Sequence, residues 1–386
     1  MVMDEQPDRL LSLDVFRGFT IASMVLVNNP GDWTNIYAPL RHASWNGWTF
    51  TDWIFPFFLF ICGVSMSLST RRGLASGTST SSLLWRLERR AAIIVLIGLA
   101  LNLVPMFDLV TLRWPGVLQR IGACVALAAP VVLFLGWRGQ AAVIVATLAI
   151  YSALMLGVPV PDVTGQIAAG ALEPGRDVGA FVDRLLMNGH LWSQSKTWDP
   201  EGLLGTLPAT CSLLFGVLAG RCITSVHSAA GRTVWMMIAG LAALWLGVAL
   251  DALLMPINKA LWTTSYCVFM TGWALLLFAV SYWILDACDT PRIRKVAEKL
   301  SRPLAIYGVN ALFIFAFSGL VARLLGFIKV DAGQGASVTL KQHLYSHLTS
   351  LPLAPINASL LHAVLFNVAM FAVAWLLWRR RIFIKV

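Results

Sequence analysis

The stretch TDWIFPFFLFICGVSMSLS, residues 51–69, carries a single charged side chain, Asp52. An amphipathic helix of a soluble protein would show a polar face along such a length. An almost unbroken apolar run of about 20 residues instead matches the roughly 30 Å of hydrocarbon that a membrane helix crosses. Applied outward from there, the same ruler finds nine further candidates, at about 11–29, 90–107, 116–136, 140–158, 203–221, 233–250, 262–285, 303–325 and 358–378. The chain therefore reads as an all-α, polytopic transmembrane bundle of about ten spans, forming one domain over 1–386. Composition points the same way. Hydrophobic residues make up 58% and charged residues 12%, against about 25% charge in a soluble domain, and mean hydropathy is +0.73. Many of the 16 Trp and 20 Phe lie near the ends of apolar runs, where amphipathic rings sit at headgroup level.

The net charge of +10 would suit nucleic acid in a soluble protein. Here the basic residues gather in alternate loops, so the expected partner is the lipid bilayer and no nucleic acid. With the N-terminus inside, 18 Lys and Arg, among them Arg9, the run Arg379 to Arg381 and Lys385, fall in inner segments, 8 fall in outer ones, and Arg17, Arg120 and Arg323 lie within spans. The positive-inside bias then gives both ends in the cytoplasm. Met1 to Leu10 is acidic and polar and no small-residue cleavage site follows, so no signal peptide is expected. Two outer loops are long, about 159–202 and 326–357. The first is rich in Gly, Pro and Trp and ends in a polar run, Trp192 to Glu201. Loops of this length serve as lids or binding elements, and a passive connector fits the length equally well. The six cysteines show no CxxC spacing, and His343 and His347, four apart, have no third ligand at a recognisable spacing, so neither a disulfide framework nor a metal site is expected.

Ionisable groups inside spans cost at least about 2.5–3.5 kcal/mol each unless they face a cavity or a partner. In the first span Asp14 and Arg17 can pair on one face, either as a functional pair or as one at the headgroup boundary. Arg17 and Asn28 are eleven apart, about three turns and about 16 Å along the axis, which predicts a polar stripe running towards the outer end. Outer segments collect further polar groups: Asn28, Asn29, Arg41 to Gly47 with His42 and Asn46, Asp52, Arg113, Gln119, Arg120, Asp199, Glu201, Asn258, Lys259, Trp262 and Tyr266. Each is ordinary helix-end chemistry by itself; Asp52, for example, favours a positive helix N-terminus. Together they suggest a polar site at the outer mouth of the bundle. His42 alone among the histidines combines that position with dense polar neighbours, and a neutral imidazole suits a general base or an acyl acceptor.

RLLSLDVFRGFTI (9–21), HASWNGWTFTDWIFPFFLFICG (42–63), RWPGVLQRIG (113–122), WDPEGLLGTLPA (198–209), NKALWTTSYC (258–267) and, more weakly, PLAIYGVNALFIF (303–315) resemble segments of the heparan-α-glucosaminide N-acetyltransferase family and its shorter bacterial members, in consistent order over most of the chain. The resemblance implies an integral-membrane transferase, in a bacterial inner membrane, that takes acetyl from cytoplasmic acetyl-CoA as co-substrate. The acetyl group would pass to an amino-sugar or glycan amine on the opposite side. It also implies a homodimer. His42 matches the family's active-site histidine, Asn28 its asparagine, with Asn29 as the alternative, and Asp52 its aspartate. Relative to the animal enzyme, this chain lacks the luminal N-terminal region and an extra first helix. That shifts the expected acceptor from heparan sulfate to a bacterial envelope or amino-sugar substrate.

On this reading Arg17, Arg86, Arg89 and Arg90, with the basic 292–302 cluster, would meet the phosphates of acetyl-CoA, although the same residues serve as positive-inside signals. The pantetheine arm would follow the Arg17–Asn28 stripe to His42. Asn28 would hold the thioester carbonyl, Asp52 would orient the imidazole, and Asn29, Asn46, Arg120, Asp199, Glu201, Asn258, Lys259, Trp262 and Tyr266 would shape the acceptor pocket. The alternative is a sugar or amino-sugar transporter without acyl transfer, since a polar path through a bundle fits transport too. The absence of paired repeats and the gathering of polar motifs at one face weigh against it.

Overall fold

A computed structural model of the chain describes residues 10–331 and 337–384; Arg9, Lys385 and part of the 326–357 loop lie outside them. All ten candidate segments are helical. The helices are α1 (Leu11–Val27), α2 (Phe50–Ala75), α3 (Thr80–Leu103), α4 (Val117–Phe134), α5 (Trp137–Gly157), α6 (Val178–Met187), α7 (Thr206–Ile223), α8 (Ala229–Leu253), α9 (Thr264–Tyr282), α10 (Pro291–Val309), α11 (Ala311–Phe327), α12 (Leu340–Thr349) and α13 (Pro355–Arg379), with a 3₁₀ turn at Ala38–Leu40 and a π turn at Trp283–Ala287 closing α9. The molecule is an all-α polytopic membrane protein. Among the described residues seven helices are long and apolar enough to cross a bilayer, namely α2, α4, α5, α7, α8, α9 with its π turn, and α13.

The expectation of ten equivalent crossings needs correction in three places. The segment at 303–325 is not one straight helix: α10 and α11 meet at 72°, the geometry of a broken span or a re-entrant pair. Asn310, between them, donates to Ile382 O at 3.0 Å and accepts from Ile384 N at 2.9 Å, so the C-terminal segment occupies the groups of the break. Helix α1 has only 17 residues, about 25 Å at 1.5 Å per residue. Helix α3 opens with Arg86, Glu88, Arg89 and Arg90 and leaves too short an apolar remainder. By length and composition alone neither is counted with the seven, although both pack within the bundle.

The long loops carry structure as well. The first holds α6 and a hairpin of β1 (Val160–Pro161) and β2 (Ile167–Ala168), and the second a hairpin of β3 (Lys329–Asp331) and β4 (Ser337–Thr339) followed by α12. Both hairpins are antiparallel, with Val160 opposite Ala168 and Val330 opposite Val338.

Bundle packing is close because the helices meet at glycines, as small residues permit within membranes. A Cβ on Gly63 of α2 would lie 1.8 Å from Leu213 O, and one on Gly216 of α7 would lie 1.9 Å from Phe60 O, so the backbones of these helices touch. Helix α1 runs through the middle, against α2, α9, α10, α11 and α13, and most of its side chains are buried. Placing it centrally brings Arg17 and Asn28 towards opposite ends of the same core.

Candidate active site

At the end of the bundle where α1 finishes and α2 begins lies a cavity of about 600 Å³ lined by Asn28, His42, Asp52, Arg113, Glu201 and Lys259. Five stretches of chain far apart in sequence supply these groups, and local chemistry fixes each. Asp52 sits in the first turn of α2 and is 1% exposed. Its Oδ2 accepts from Thr49 N at 3.0 Å and Ala43 N at 3.1 Å, and its Oδ1 faces His42 Nδ1 at 2.7 Å. A carboxylate only accepts, so Nδ1 carries the hydrogen and Nε2 keeps its lone pair. The same residue thus stabilises a helix start and sets the imidazole's tautomer and direction.

Lys259 comes from the loop between α8 and α9. Its Nζ lies 3.7 Å from Asp52 Oδ1 and beside both ring nitrogens of His42, 3.0 Å from Nδ1 and 3.3 Å from Nε2. Burial pushes the Lys259 ammonium below the usual lysine range, against the opposing pull of Asp52 and Glu201. Arg113, ahead of α4, forks onto Asp199 through Nε at 2.8 Å and Nη2 at 2.5 Å, and Nη2 also reaches Glu201 at 2.6 Å. Burial works against the Glu201 carboxylate, yet Arg113, Arg120 and Lys259 outweigh it and hold its carboxyl below the usual range. Glu201 is therefore an anion in the cavity wall. The side chain of Asn28, at the C-terminal end of α1, has no hydrogen-bond partner among the described residues and faces the cavity.

Other residues expected at the acceptor pocket hold its walls from behind. Asn29 donates to Val25 O at 2.7 Å. Asn258 is fully buried, donates to Asn46 Oδ1 at 3.1 Å and accepts from Leu261 N at 3.0 Å. Trp262 Nε1 donates to Ser212 Oγ at 3.1 Å, and Tyr266 Oη donates to the Asp52 carbonyl at 2.7 Å. Arg120 donates to Gly202 O at 2.9 Å and stacks on the Trp262 ring at 5.4 Å. Asp199 receives the Arg113 fork. None of Asn29, Asn46, Arg120, Asp199, Asn258, Trp262 and Tyr266 lines the His42 cavity. Sequence reasoning passed over Trp33, Trp45, Trp192 and Trp198, which do line it, with the Trp198 ring edge-on to Trp45 at 5.2 Å. For Trp192 and Trp198 the signal was the Trp content of the 159–202 loop.

A separate cavity of about 310 Å³ lies towards the start of α1, lined by Arg17, Cys62, Ser65, Ser69, Arg90 and apolar side chains. Arg17 donates to Asp14 at 3.1 Å and to Ser65 Oγ at 2.9 Å. Arg86 and Arg89 are exposed on α3 and do not line this cavity. The expected polar stripe from Arg17 to Asn28 is interrupted. The two cavities share no lining residue, and between them Ile21 and Val25 of α1 pack with Phe55, Phe58, Leu118 and Ile121 in the core. Positions 21 and 25, one and two turns beyond Arg17, are apolar, so the stripe fails where α1 is most tightly packed. The barrier is about one helical turn thick, since Phe55 lines one cavity and Phe58 the other, as do Val117 and Ile121.

The family model described as heparan-alpha-glucosaminide N-acetyltransferase, catalytic, matches residues 9–182, which include Asn28, His42, Asp52 and Arg113. The chain is 31% identical to human heparan-alpha-glucosaminide N-acetyltransferase over 332 residues, covering 72% of this chain and 49% of the human protein. The mouse protein of the same name is 30% identical over 330 residues, covering 72% of this chain and 50% of its own length. The chain thus spans about half the length of the curated relatives it matches. With its apolar helices and this similarity, the chain belongs to the heparan-alpha-glucosaminide N-acetyltransferase family.

Proposed function

We propose that this protein is a transmembrane acetyltransferase that moves an acetyl group from cytoplasmic acetyl-CoA to an amino-sugar amine on the far side of a bacterial plasma membrane. The observation that carries the reading is the His42 imidazole, held through Nδ1 by buried Asp52, with Nε2 open to a cavity that an acceptor can fill. Orientation rests on the basic bias of the loops, which assigns the His42 end to the outside.

In this mechanism the donor occupies the Arg17–Arg90 cavity, where two guanidinium groups and two serine hydroxyls suit a phosphate-bearing pantetheine with an apolar arm. The arm parts the one-turn apolar layer and brings its thioester to Asn28. Glu201 attracts the acceptor as an ammonium ion, which loses one proton to solvent to become the free amine and displaces Lys259 from beside the His42 ring. His42 Nε2 takes a proton as the amine attacks the thioester carbonyl. A C–N bond forms, the C–S bond breaks, and the CoA thiolate receives the proton. The Asn28 amide donates to the developing oxyanion. Direct attack uses one transition state of this kind; transfer through an acetyl-His42 intermediate uses the same Nε2 twice.

The test is reconstitution in vesicles with labelled acetyl-CoA on one side and glucosamine on the other. Acetylated glucosamine in the far compartment, with free CoA in the near one, supports the reading. Glucosamine that crosses unmodified, with no CoA released, contradicts it and indicates transport.

A further inference from the structure

None of Arg292, Arg294, Lys295, Lys299 and Arg302 lines the Arg17–Arg90 cavity, so the donor leaves the basic 292–302 cluster without a task. These residues lie on the first turns of α10, which stand almost clear of the bundle. From Pro291 to Leu300 only Ala297 is partly covered, against a cluster of Val15, Leu285 and Ala305. Helix α13 fixes the level of this segment. It runs antiparallel to α1, since Asn367 Nδ2 donates to Ala22 O at 2.9 Å and Gly31 N donates to Ser359 O at 3.2 Å, and its last turn therefore comes down beside the start of α1. There the Arg302 guanidinium lies over the Trp378 ring and that of Arg379 over Trp375, each at 5.2 Å. Trp rings and basic side chains where apolar helices end mark the headgroup layer. Further along α10, Tyr307 Oη donates to Asn367 O at 2.7 Å, deeper in the bundle, so α10 enters the bundle only after these first turns.

The exposed turns are amphipathic. At about 100° per residue, Ile293, Val296 and Leu300 fall within about 60° of one another, and Arg292, Lys295, Lys299 and Arg302 within about 80° beside them. The three apolar side chains are 52%, 59% and 75% exposed. Among the described residues none of these four cations pairs with a carboxylate; Glu298, the acid of these turns, is taken by Arg294 at 3.6 Å. So many charges keep the segment out of the hydrocarbon, whereas an apolar stripe flanked by unpaired cations binds along a bilayer surface that carries negative charge. We propose that residues 291–302 form an interfacial helix that binds anionic phospholipid. Ile293, Val296 and Leu300 enter the boundary between headgroups and acyl chains, and Arg292, Lys295 and Lys299 meet the headgroup charge. Lipid binding here is independent of the transferase reading above.

The experiment is amide hydrogen exchange, read by mass spectrometry, on the full chain in lipid nanodiscs of phosphatidylcholine alone or of phosphatidylcholine mixed with phosphatidylglycerol. Amides of residues 293–302 should exchange more slowly in the mixed discs by roughly 5-fold or more, the effect of a single Lys or Arg near an anionic surface. The triple variant Arg292→Gln, Lys295→Gln, Lys299→Gln, whose changes are all exposed, should exchange alike in the two bilayers. The double variant Ile293→Ser, Leu300→Ser keeps the cations and should lose most of the slowing, which separates an inserted stripe from a purely electrostatic contact. Wild-type exchange that is the same in both bilayers overturns the proposal, as does a lipid-dependent slowing that survives the triple substitution or the double one. CoA added to the phosphatidylcholine discs is the remaining arm. Slowing of the same amides by CoA, with none by phosphatidylglycerol, gives the cluster to the donor's phosphates and overturns the lipid assignment.

Discussion

Replacing Asp52 by Asn tests the imidazole's tautomer with almost no change of shape. The carboxylate serves His42 Nδ1 through one oxygen, and the Ala43 and Thr49 amides with the Thr49 hydroxyl through the other. An asparagine has one oxygen and must choose. Turning its NH₂ towards Ala43 and Thr49 would oppose two pairs of donors at a site 1% exposed, at about 1–3 kcal/mol per lost buried bond. Turning its oxygen to the amides costs only a proton shift on the ring. The NH₂ then faces Nδ1, which must become an acceptor, and Nε2 becomes N–H and loses its lone pair. The same swap behind the histidine of a serine-protease triad lowers kcat by about 10⁴, so a fall of about 10³–10⁴ is expected here. The assay is labelled acetyl transfer from acetyl-CoA to an amino sugar, with melting temperature as the control for folding. A folded Asp52→Asn enzyme that keeps more than a tenth of wild-type kcat would refute the tautomer argument.

Two further outcomes are expected. Burial, with Asp199 and Asp177 adding to it, pushes the Asp183 carboxyl from 3.8 up to about 7. The folded state therefore holds this proton more tightly than the unfolded chain, and stability declines as pH rises from about 4 to about 7, by at most on the order of 4 kcal/mol. Asp183→Asn removes the titration while still accepting from Leu203 N, so its melting temperature should gain on the wild type between pH 5 and pH 8; a constant difference would contradict this. Cys62 lines the Arg17–Arg90 cavity, so acetyl-CoA or CoA should slow its alkylation by a small maleimide, read by mass spectrometry. Unchanged labelling at saturating CoA would move the donor elsewhere.

What was legible in the sequence was whatever depends on local pattern. The apolar runs gave ten helices, and Asp52 was legible at a helix N-terminus, the position from which it reaches His42, ten residues away. Contacts across hundreds of residues left no local trace. Lys259 meets His42 from 217 residues away, Arg113 reaches Glu201 across 88, and Asn310 breaks its helix against residues 72 and 74 positions further on. The polar residues at 258–266 were conspicuous because the loop ahead of α9 needs them for its own hydrogen bonds, and side chains that hold a wall look the same in sequence as those that form one. The Arg17–Asn28 stripe failed for a related reason. Helical spacing put the two on one face, but the apolar residues between them decide whether that face is open.

Replacing His42 by Ala and measuring acetyl transfer from labelled acetyl-CoA to an amino sugar tests the central claim most directly. The account predicts that product formation is lost while the protein stays folded and CoA still protects Cys62. Turnover near the wild-type rate in that variant would remove the imidazole from the chemistry.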